Sequence, residues 1–600
     1  MIALVLALFL LGAVIALRLS EPLPMPPQIA ENTPAIRAST PIPTVTTAPE
    51  AAPTEPATAA PNPAASPIAL PTLEPGVWRE AVIAPECVLK LNPLLAGFNP
   101  MDQDVSSLIF EGLFKLDAYG SPVPALAAAP PRISADGLTY VISLRQDVLW
   151  QDGMPFTSAD VAYTIGLLQS AQFSGPSDLY IFWRSVEFDA LNANVVRFKL
   201  AQPLASFLDY LRIGILPAHA LSGTHAADLT AHPFNLSPIG TGPYQFESLL
   251  TDGQHIRGVR LRASATFAAR PEAQGKALIP QVEVICYPSF DAARAAYMRG
   301  EVNSISDVPP NAVQSLKNVP LTLYSAYKPA LGAVIFNWNR ENAPYFRDVR
   351  FRQALAKALD RNALIAEFMA DRAVAADTPI LPSSWAFARD VKCPAFDPSA
   401  PDAARNFLNQ VQITPPPADP NATPPAPGGY AFQLMLPDDA ALAALGQKIA
   451  EVWRGLGIQV ESVVVDRATF RERLTAGTFD AALVELTFSP GADPDPYSVW
   501  RMLPRDGGLN FGNMNERRLS ELVEAGRQTT NGIARATLYR EFQKLFCDRA
   551  AAIVLYYPIY YYAADSRLAG VQFGFLSRAS DRFRTVEDWQ ITAGESRLIP

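Results

Sequence analysis

Two aspartates and two aromatic residues share one short loop late in the chain, and residues of these types can hold a ligand. The loop at 489–500 reads SPGADPDPYSVW and contains Asp493, Asp495, Tyr497 and Trp500. It follows a predicted strand at 481–486, and strand ends are where open α/β sheets present ligand sites. Each Asp-Pro pair could instead start a turn, and each ring could pack inside the fold.

No motif typical of a catalytic or metal centre occurs in the sequence. HExxH, GxSxG and GxxxxGK[ST] are all absent. The four histidines lie between His219 and His255 without the spacing of metal ligands, which is typical of surface and loop histidines. We therefore expect no enzyme activity, no catalytic residue, no metal site and no cofactor.

The strands and helices that hold the loop in place are predicted from hydrophobic patterns, with a period of two for strands and about 3.6 for helices. Residues 138–144 and 196–200 alternate apolar and polar side chains, which predicts half-buried strands. Between them, Thr157 and Asp160 have the spacing of a capping box, and Asp348 is expected to cap a later helix. Further strands are predicted at 282–287, 331–337, 430–436, 460–465 and 481–486. Their alternation with helices is the order expected of α/β lobes.

Length and charge limit the class of protein. The chain has 600 residues, of which 49% are hydrophobic and 18% charged, and its formal net charge is -9 at pH 7. At roughly 150 residues per domain, about three or four compact units are expected. The negative net charge argues against a nucleic-acid partner, which needs a basic surface.

The amino-terminal part of the chain divides into an apolar segment and a Pro-rich spacer. Residues 2–17 are apolar throughout and would span about 24 Å as a helix, which is marginal for a hydrocarbon core of about 30 Å. They predict either an uncleaved membrane anchor or a cleaved signal peptide. Residues 21–76, rich in Pro, Ala and Thr, predict a disordered linker, and the Pro-rich stretch at 414–429 predicts a surface loop.

The cysteines lie far apart in sequence and show no CxxC or metal-like spacing. They are Cys87, Cys286, Cys393 and Cys547. Outside the cytoplasm they could form two disulfides in any of three pairings, and four buried thiols are the alternative. The spacing does not choose among these arrangements.

Several blocks of sequence occur together in an order that is typical of one family. The main signature is PVPALAAAPPRISADGLTYVISLR at 122–145, followed by WQDGMPFTSADVAYT at 150–164. The other blocks are NPL at 92–94, IFEGLF at 109–114, PIGTGPYQF at 238–246, MRGEVNSISDVPP at 298–310, FN at 336–337, DVRFRQALAKALDRNALI at 348–365 and RATLYREFQKLFCDRAAAIVLYYP at 535–558. Over nearly all of 78–589 the chain resembles family 5 of the extracellular solute-binding proteins of ABC importers, which carry peptides, nickel and some oligosaccharides.

The resemblance implies an α/β fold of two lobes, like that of periplasmic binding proteins, with a cleft that closes by a hinge. An extra α+β domain would be attached to the first lobe. The predicted division is 1–19 for the anchor or signal peptide, 20–77 for the linker, 78–115, 235–326 and 559–600 for lobe I, 116–234 for domain II, and 327–558 for lobe III. Closure would remove the ligand from water and strengthen the few polar contacts that hold it.

The resemblance also assigns a role to the loop at 489–500. In peptide-binding relatives an aspartate in a W-x-G-D-x-x-D-P pattern pairs with the ammonium group of the ligand. Alignment of Asp493 and Pro494 with the final D-P puts Pro490 at the position of that aspartate and Thr487 at the position of the tryptophan. This departure leaves Asp493 or Asp495 to bind an amino group.

Five further residues are candidates for the ligand site on the same resemblance. Glu111, in the EGL block, is expected either to face the cleft or to be a solvated surface charge. The others follow the first crossing strand or lie in a polar loop that contains glycine: Asn337, Trp338, Phe511 and Asn513.

The function implied by the resemblance is that of the extracytoplasmic substrate-binding component of an ABC importer. Such a protein captures a small solute, by family frequency a short peptide, and delivers it to permease and ATPase subunits. The alternative is a sensor or scaffold with the same cleft that is not coupled to transport. We expect a monomer in the periplasm or at the cell surface, held at the membrane by residues 2–17.

Overall fold

The structure, a computed structural model, describes residues 74–276, 278–316, 319–413, 429–488, 493–502 and 508–592. The apolar segment at 2–17, nearly all of the predicted linker and nearly all of the Pro-rich stretch at 414–429 lie outside the described residues. Within those described ranges no helix is long and apolar enough to cross a membrane.

The strands of the described residues are numbered here in chain order. They are β1 Val77–Ile83, β2 Phe114–Leu116, β3 Pro122–Pro124, β4 Arg132–Ile133, β5 Thr139–Ser143, β6 Glu187–Asn192, β7 Val195–Lys199, β8 Tyr244–Asp252, β9 His255–Ala263, β10 Gln281–Tyr287, β11 Ser304–Ile305, β12 Leu321–Tyr327, β13 Ala330–Phe336, β14 Ala373–Ala375, β15 Ala431–Pro437, β16 Gln459–Val465, β17 Ala481–Thr487, β18 Ile553–Asp565, β19 Leu568–Ala569 and β20 Gln590–Ile591. All the predicted strands are confirmed, with ends that differ by at most one residue.

The α-helices are numbered in the same way. They are α1 Pro100–Ile109, α2 Ser158–Gln169, α3 Ser177–Trp183, α4 Phe207–Tyr210, α5 Ala265–Ala268, α6 Phe290–Met298, α7 Val349–Lys357, α8 Arg361–Phe368, α9 Ala403–Leu408, α10 Ala440–Arg454, α11 Arg467–Ala476, α12 Tyr497–Trp500, α13 Arg517–Gln528 and α14 Gly532–Arg549. Short 3-10 helices occupy Ala96–Phe98, Leu229–Ala231, Pro233–Leu236, Pro271–Ala273, Pro310–Leu316, Pro344–Arg347 and Ala579–Asp588.

Two of the helix starts confirm the predicted caps. The Thr157 side chain and the Asp160 side chain form the capping box that begins α2. The Asp348 carboxylate accepts a hydrogen bond from the backbone N–H of Arg350 at the start of α7. Both contacts satisfy backbone N–H groups at the start of a helix that have no partner within the helix. Because the capping residue and the N–H group are at most three positions apart, the caps could be predicted from short stretches of sequence.

One twelve-stranded sheet runs through both lobes and is joined at its centre by β18. Its strand order is β16-β15-β17-β13-β18-β11-β1-β10-β9-β8, and β12 and β14 also pair with β18. The strands β13 to β17 pair with one another or with the first half of β18, whereas β1 and β8 to β12 pair with one another or with its second half. These two parts of the sheet are called lobe III and lobe I here. All thirteen residues of β18 are buried.

The strand β18 changes its partners where it passes from one lobe to the other. Pro558 is the last residue paired with β14, and Ile559 is paired with Tyr327 of β12. The return connection from β12 to β13 lies alongside, because the N–H of Lys328 donates to the carbonyl of Pro558 at 2.8 Å. Two adjacent chain crossings therefore connect the lobes at this point.

Domain II, the name used here for residues 116–234, has a sheet of its own and shares one apolar core with lobe I. Its strands follow the order β4-β5-β7-β6 and are all antiparallel. Trp183, Phe198 and Phe207 are fully buried and contact one another with ring centroids 5.5 to 6.3 Å apart. This packing places α4, which contains Phe207, on the surface that faces lobe III.

The structure selects one of the three disulfide pairings. Cys87 is bonded to Cys286 of β10, and Cys393 is bonded to Cys547 of α14. The first disulfide lies within lobe I and the second within lobe III. Neither disulfide restrains one lobe against the other.

Candidate functional site

The Asp493 carboxylate is engaged by an arginine of its own lobe. Arg535, in α14, donates from Nη1 to Oδ2 at 2.6 Å and from Nη2 to Oδ1 at 2.7 Å. The side chains are only 9% and 6% exposed, so this is a buried bidentate ion pair. The negative charge of Asp493 is therefore already neutralised by the protein.

A chain of charged groups continues from Asp493 into domain II and lobe I. The backbone N–H of Asp493 donates to Oδ2 of Asp209 at 3.1 Å. Arg212 lies 3.9 Å from Oδ1 of Asp209 and donates to Oδ1 of Asp581 at 3.0 Å. We call Arg535, Asp493, Asp209, Arg212 and Asp581 the interlobe charge chain, since it links all three parts of the fold.

A backbone hydrogen bond also joins domain II to lobe III. The N–H of Ala205, just before α4, donates to the carbonyl of Arg527 in α13 at 2.8 Å. Domain II and lobe III are thus in direct hydrogen-bonded contact next to the loop that contains Asp493. Leu116 and Phe575, from outside lobe III, also join the apolar core of that lobe.

Asp495 lies in the same loop but has a looser ionic partner. Its Oδ1 accepts a hydrogen bond from the N–H of Tyr497 at 3.1 Å, and its Oδ2 lies 3.6 Å from Nε of Arg527. Burial raises the pKa of Asp495 to about 7, and the attraction of Arg527 only partly opposes this effect. The N–H contact is the turn-forming role that Asp-Pro sequences often have.

The two aromatic candidates of the loop differ in exposure. The ring of Tyr497 is partly exposed and faces the guanidinium groups of Arg527 and Arg501, at 4.2 and 4.7 Å from the ring centroid. Trp500 is 3% exposed and packs edge-on against Phe546 with centroids 4.7 Å apart. The structure therefore puts Trp500 in the core of lobe III and Tyr497 at a charged surface.

The candidates near β13 lie together in a junction within lobe III. Asn337 donates from its side chain to the carbonyls of Gly477 and Phe479 at 2.9 and 3.1 Å, and it accepts from the side chain of Asn513 at 3.3 Å. Asn513 has a φ of 50°, a left-handed conformation in which Asn is enriched. These contacts hold the junction together.

The two aromatic members of the junction are also packed against protein. Trp338 is buried with the guanidinium of Arg352 4.0 Å above its ring, and its backbone N–H donates to the carbonyl of Gly512. Phe511 is partly buried and packs against the core of lobe III. Within the part of the chain that the structure describes, no hydrogen bond joins the members of this junction to Asp493 or to Glu111.

Glu111 lies at the wall of a cavity between lobe I and domain II. Its carboxylate accepts from Nη1 of the buried Arg270 at 2.9 Å. The cavity has a volume of about 130 Å³ and is bounded by the segment 107–116, by Arg212 and by the segment 578–587. Glu111 thus faces a polar space, but its charge has a partner.

Sequence reasoning missed the arginines and aspartates of the interlobe charge chain and of the cavity beside Glu111. These are Asp209, Arg212, Arg535, Arg578, Asp581 and Arg584. Only the segment SRASDRFR at 577–584 has a visible sequence signal, a local concentration of charge. The contacts of Arg535 with Asp493 and of Arg212 with Asp581 join residues 42 and 369 positions apart, so no spacing rule could have found them.

The arrangement consists of charged and polar groups that can contact a solute. Among the residues that the structure describes, no group of three or more His, Cys, Asp or Glu side chains could hold a metal ion. His219 is paired with Asp152 at 2.7 Å. What the site provides is a charged, largely desolvated boundary between lobes, where polar contacts to a ligand are strong.

Comparison with known proteins agrees with this architecture. The family described as "Bacterial extracellular solute-binding proteins, family 5 Middle" matches residues 121–508. The oligopeptide-binding protein AppA of Bacillus subtilis is 24% identical over 487 residues, which cover 78% of this chain and 84% of AppA. The dipeptide-binding protein of Escherichia coli is 23% identical over 496 residues, covering 76% of this chain and 86% of that protein.

Solved structures give the same result for the fold. NikZ from Campylobacter jejuni, in complex with Ni(L-His), is 25% identical and superposes with a TM-score of 0.64 over 86% of this chain and 100% of NikZ. HbpA2 from Haemophilus parasuis, 20% identical, has a TM-score of 0.70 over 84% of this chain and 98% of HbpA2. With its two lobes, its central crossing strand and the family match over most of its length, the chain belongs to the bacterial extracellular solute-binding proteins of family 5.

Proposed function

We propose that this protein is the extracytoplasmic substrate-binding component of an ABC importer and that it works without catalysis. It would capture a small solute between its lobes and deliver it to permease and ATPase subunits. Because AppA is named for oligopeptides and its Escherichia coli relative for dipeptides, a short peptide is the proposed solute class.

The interlobe charge chain is the observation that carries this proposal. It brings the loop of Asp493 into contact with Asp209 across the boundary between lobe III and domain II. A hinge protein needs such a contact surface, which forms on closure and encloses the ligand. The two adjacent crossings at Lys328 and Pro558 are the proposed hinge, because few residues there need to change conformation.

We propose the following division of the chain for this role. Lobe I comprises 78–115, 235–326 and 559–600, domain II comprises 116–234, and lobe III comprises 327–558. Asp495, Tyr497 and Glu111 are proposed to border the ligand, since each is only partly buried near the closing surfaces. Asp493 is proposed to act through its ion pair with Arg535, which holds the loop in position.

An oxidising, extracytoplasmic location is consistent with the chemistry of the cysteines. All four described cysteines are in disulfides, which persist outside the cytoplasm and are rare inside it. The apolar segment at 2–17 is proposed to hold the protein at the membrane, either permanently or until cleavage. We propose that the solute-binding unit is a monomer.

Native mass spectrometry of the full chain tests the proposal. The protein is measured as purified and after mixing with short peptides, oligosaccharides and nickel. We expect a discrete adduct that disappears on unfolding. A folded chain that stays bare with every solute would count against the importer role and favour a sensor or scaffold, as would unchanged uptake of an identified ligand after gene deletion.

A further inference from the structure

The cavity beside Glu111 contains more cationic than anionic side chains. Lys115, Arg212, Arg578 and Arg584 line it, together with Glu111, Asp581 and Glu587. Its position also connects it with the closing surface, since Arg212 belongs to the interlobe charge chain. A volume of about 130 Å³ suits a group of a few heavy atoms rather than a whole peptide.

The carboxylates of the cavity are already matched by cations. Glu111 binds Arg270, which stands behind the cavity wall, and Glu587 lies 3.6 Å from Lys115. Asp581 accepts hydrogen bonds from Arg212 and from both the N–H and the Oγ of Ser577. Burial alone would raise the pKa of Asp581, but Arg212 and Arg578 outweigh it and hold that pKa below its ordinary value.

Arg578 and Arg584 are the guanidinium groups of the cavity with the weakest contacts to carboxylates. Arg578 shares Asp581 with Arg212 and approaches it only to 3.6 Å, and its side chain is 46% exposed. Arg584 donates to the carbonyls of Asp117 and Phe575, and no carboxylate of the described residues lies within ion-pair distance of it.

Ser580 supplies a second, independent observation at the cavity. Its side chain lines the cavity and is 2% exposed, and its Oγ has no hydrogen-bond partner among the described residues. The Nε of Arg584 is likewise buried without a partner there. A buried hydroxyl and a buried N–H donor left unpaired are costly, and a ligand with acceptor oxygens would satisfy both.

The other side of the cleft does not favour a cationic ligand. Asp493 is neutralised by Arg535, and burial raises the pKa of Asp495 to about 7. Neither aspartate therefore offers the free, fully charged carboxylate that an ammonium group would need. The balance of charge across the site points towards an anion.

We propose that the solute of this protein carries an anionic group, a carboxylate or a phosphate, which enters the cavity beside Glu111 and is bound by Arg578, Arg584 and Ser580. This inference rests on the proposed solute-binding function and names the chemical class of the solute. Planar or tetrahedral oxyanions fit a pair of guanidinium groups, which can donate two hydrogen bonds at once.

The test compares probes that differ only in the anionic group. The full chain is titrated calorimetrically with a pool of N-acetylated tripeptides that have a free carboxylate, with the same pool amidated at its carboxyl end, with succinate and with inorganic phosphate. We expect the free-acid pool or one of the small anions to bind. The amidated pool should bind at least about tenfold more weakly than the free-acid pool, if it binds at all.

Variants assign the binding to the cavity. Arg578→Gln should weaken the binding of the anionic probe at least about tenfold, and Ser580→Ala should weaken it to a smaller extent. Arg257→Gln is the matched control, because Arg257 is a half-exposed arginine of β9 that only approaches Asp252 to 4.0 Å. It should leave binding unchanged, and far-ultraviolet circular dichroism should show that all three variants are folded.

Two outcomes would overturn this inference and leave the proposed function standing. They are equal binding of the free-acid and amidated pools, and unchanged binding of the anionic probe to Arg578→Gln. Failure of every probe to bind would also reject the anionic class, whereas a neutral or cationic adduct in the native mass spectrum would still support solute binding. Binding of succinate or phosphate alone, lost in Arg578→Gln, would support the inference with a non-peptide solute.

Discussion

Asp493 and Asp495 stand two residues apart in one loop, yet the folded chain surrounds them differently. Asp493 is held by two short hydrogen bonds from Arg535, whereas Asp495 has an arginine nitrogen only at 3.6 Å. An ion pair with good geometry offsets desolvation, and a loose one does not. Replacement of Asp493 should therefore affect stability through its ion pair, and replacement of Asp495 through its raised pKa.

Asp495→Asn should change how stability depends on pH. Because burial raises the pKa of Asp495 to about 7, the folded state binds this proton more tightly than the unfolded state, whose pKa is near 4. The wild-type protein should thus lose stability at this site as pH rises from about 4 to about 7, by at most about 1.4 kcal/mol per pH unit. Asp495→Asn removes that loss, so it should stabilise the protein more at pH 8 than at pH 5.

Urea unfolding of both proteins at pH 5 and pH 8 measures this difference. The comparison of the two proteins cancels other titrating groups, such as Asp102, whose pKa burial raises to about 6. A free-energy difference between wild type and variant that is the same at both pH values would contradict the prediction.

Asp493→Asn should destabilise the protein by about 3–5 kcal/mol, because it leaves the buried Arg535 without a charged partner. Asp390→Asn is the matched control. Asp390 forms a bidentate pair with Arg540 as well, but both side chains are more than half exposed, so little change in the urea midpoint is expected. Equal midpoints for the two variants would show that the Asp493 pair is not a structural anchor.

At the scale of elements, β13 and β18 form the centre of the sheet and contact each other very closely. Gly332 of β13 is paired with Tyr556 of β18, and a Cβ at Gly332 would stand 2.1 Å from the Tyr556 ring. The register between the strands also shifts next to this pair. The absence of a side chain at Gly332 thus allows the Tyr556 ring to lie across the strand.

Gly332→Ala should therefore destabilise lobe III by about 1–3 kcal/mol, the range for a side chain forced into a packed core. Gly166→Ala is the control, and it should change the free energy of unfolding in the opposite direction. Gly166 is exposed within α2, and a methyl group added there would meet no atom within 4 Å beyond its own stretch of helix. Alanine there should stabilise the helix by about 0.5–1 kcal/mol. Denaturant unfolding of both variants measures the two changes in the free energy of unfolding. If Gly332→Ala leaves that free energy unchanged, the Tyr556 ring can move aside and the prediction is wrong.

At the scale of the whole molecule, each lobe has its own covalent link while the hinge has none. Cys87–Cys286 lies in lobe I and Cys393–Cys547 lies in lobe III. The connections between lobes are the crossings near Pro558 and the noncovalent contacts of the closing surface. A binding protein that opens and closes needs this combination of rigid lobes and an unrestrained hinge.

Loss of the Cys393–Cys547 link should therefore weaken lobe III. The link closes a segment of 154 residues, and its removal by Cys393→Ala with Cys547→Ala should cost about 2–5 kcal/mol. Thermal unfolding by calorimetry measures the loss. Wild-type protein reduced with dithiothreitol should be destabilised at least as much, because it loses both disulfides. An unchanged melting temperature in the double variant would contradict the prediction.

The local elements and the family of the fold could be predicted from the amino-acid sequence. The helix caps and the strands depend on neighbours within a few residues, so Thr157, Asp348 and segments such as 481–486 could be identified directly. The blocks at 122–145 and 348–365 carry the two-lobed architecture through resemblance. The loop of Asp493 was also singled out, since a strand end precedes it, and its role in ligand binding stays a prediction.

The partners of the charged residues and of the cysteines became known only from the folded structure. The pairing of Asp493 with Arg535, of Arg212 with Asp581 and of Cys393 with Cys547 joins residues that are 42, 369 and 154 positions apart. Such pairs depend on how the lobes wind around β18, and no local pattern encodes that geometry. For the same reason the sequence predicted that Asp493 could bind the amino group of a ligand. In the folded chain Arg535 neutralises Asp493 instead, and the guanidinium groups of Arg578 and Arg584 line a cavity.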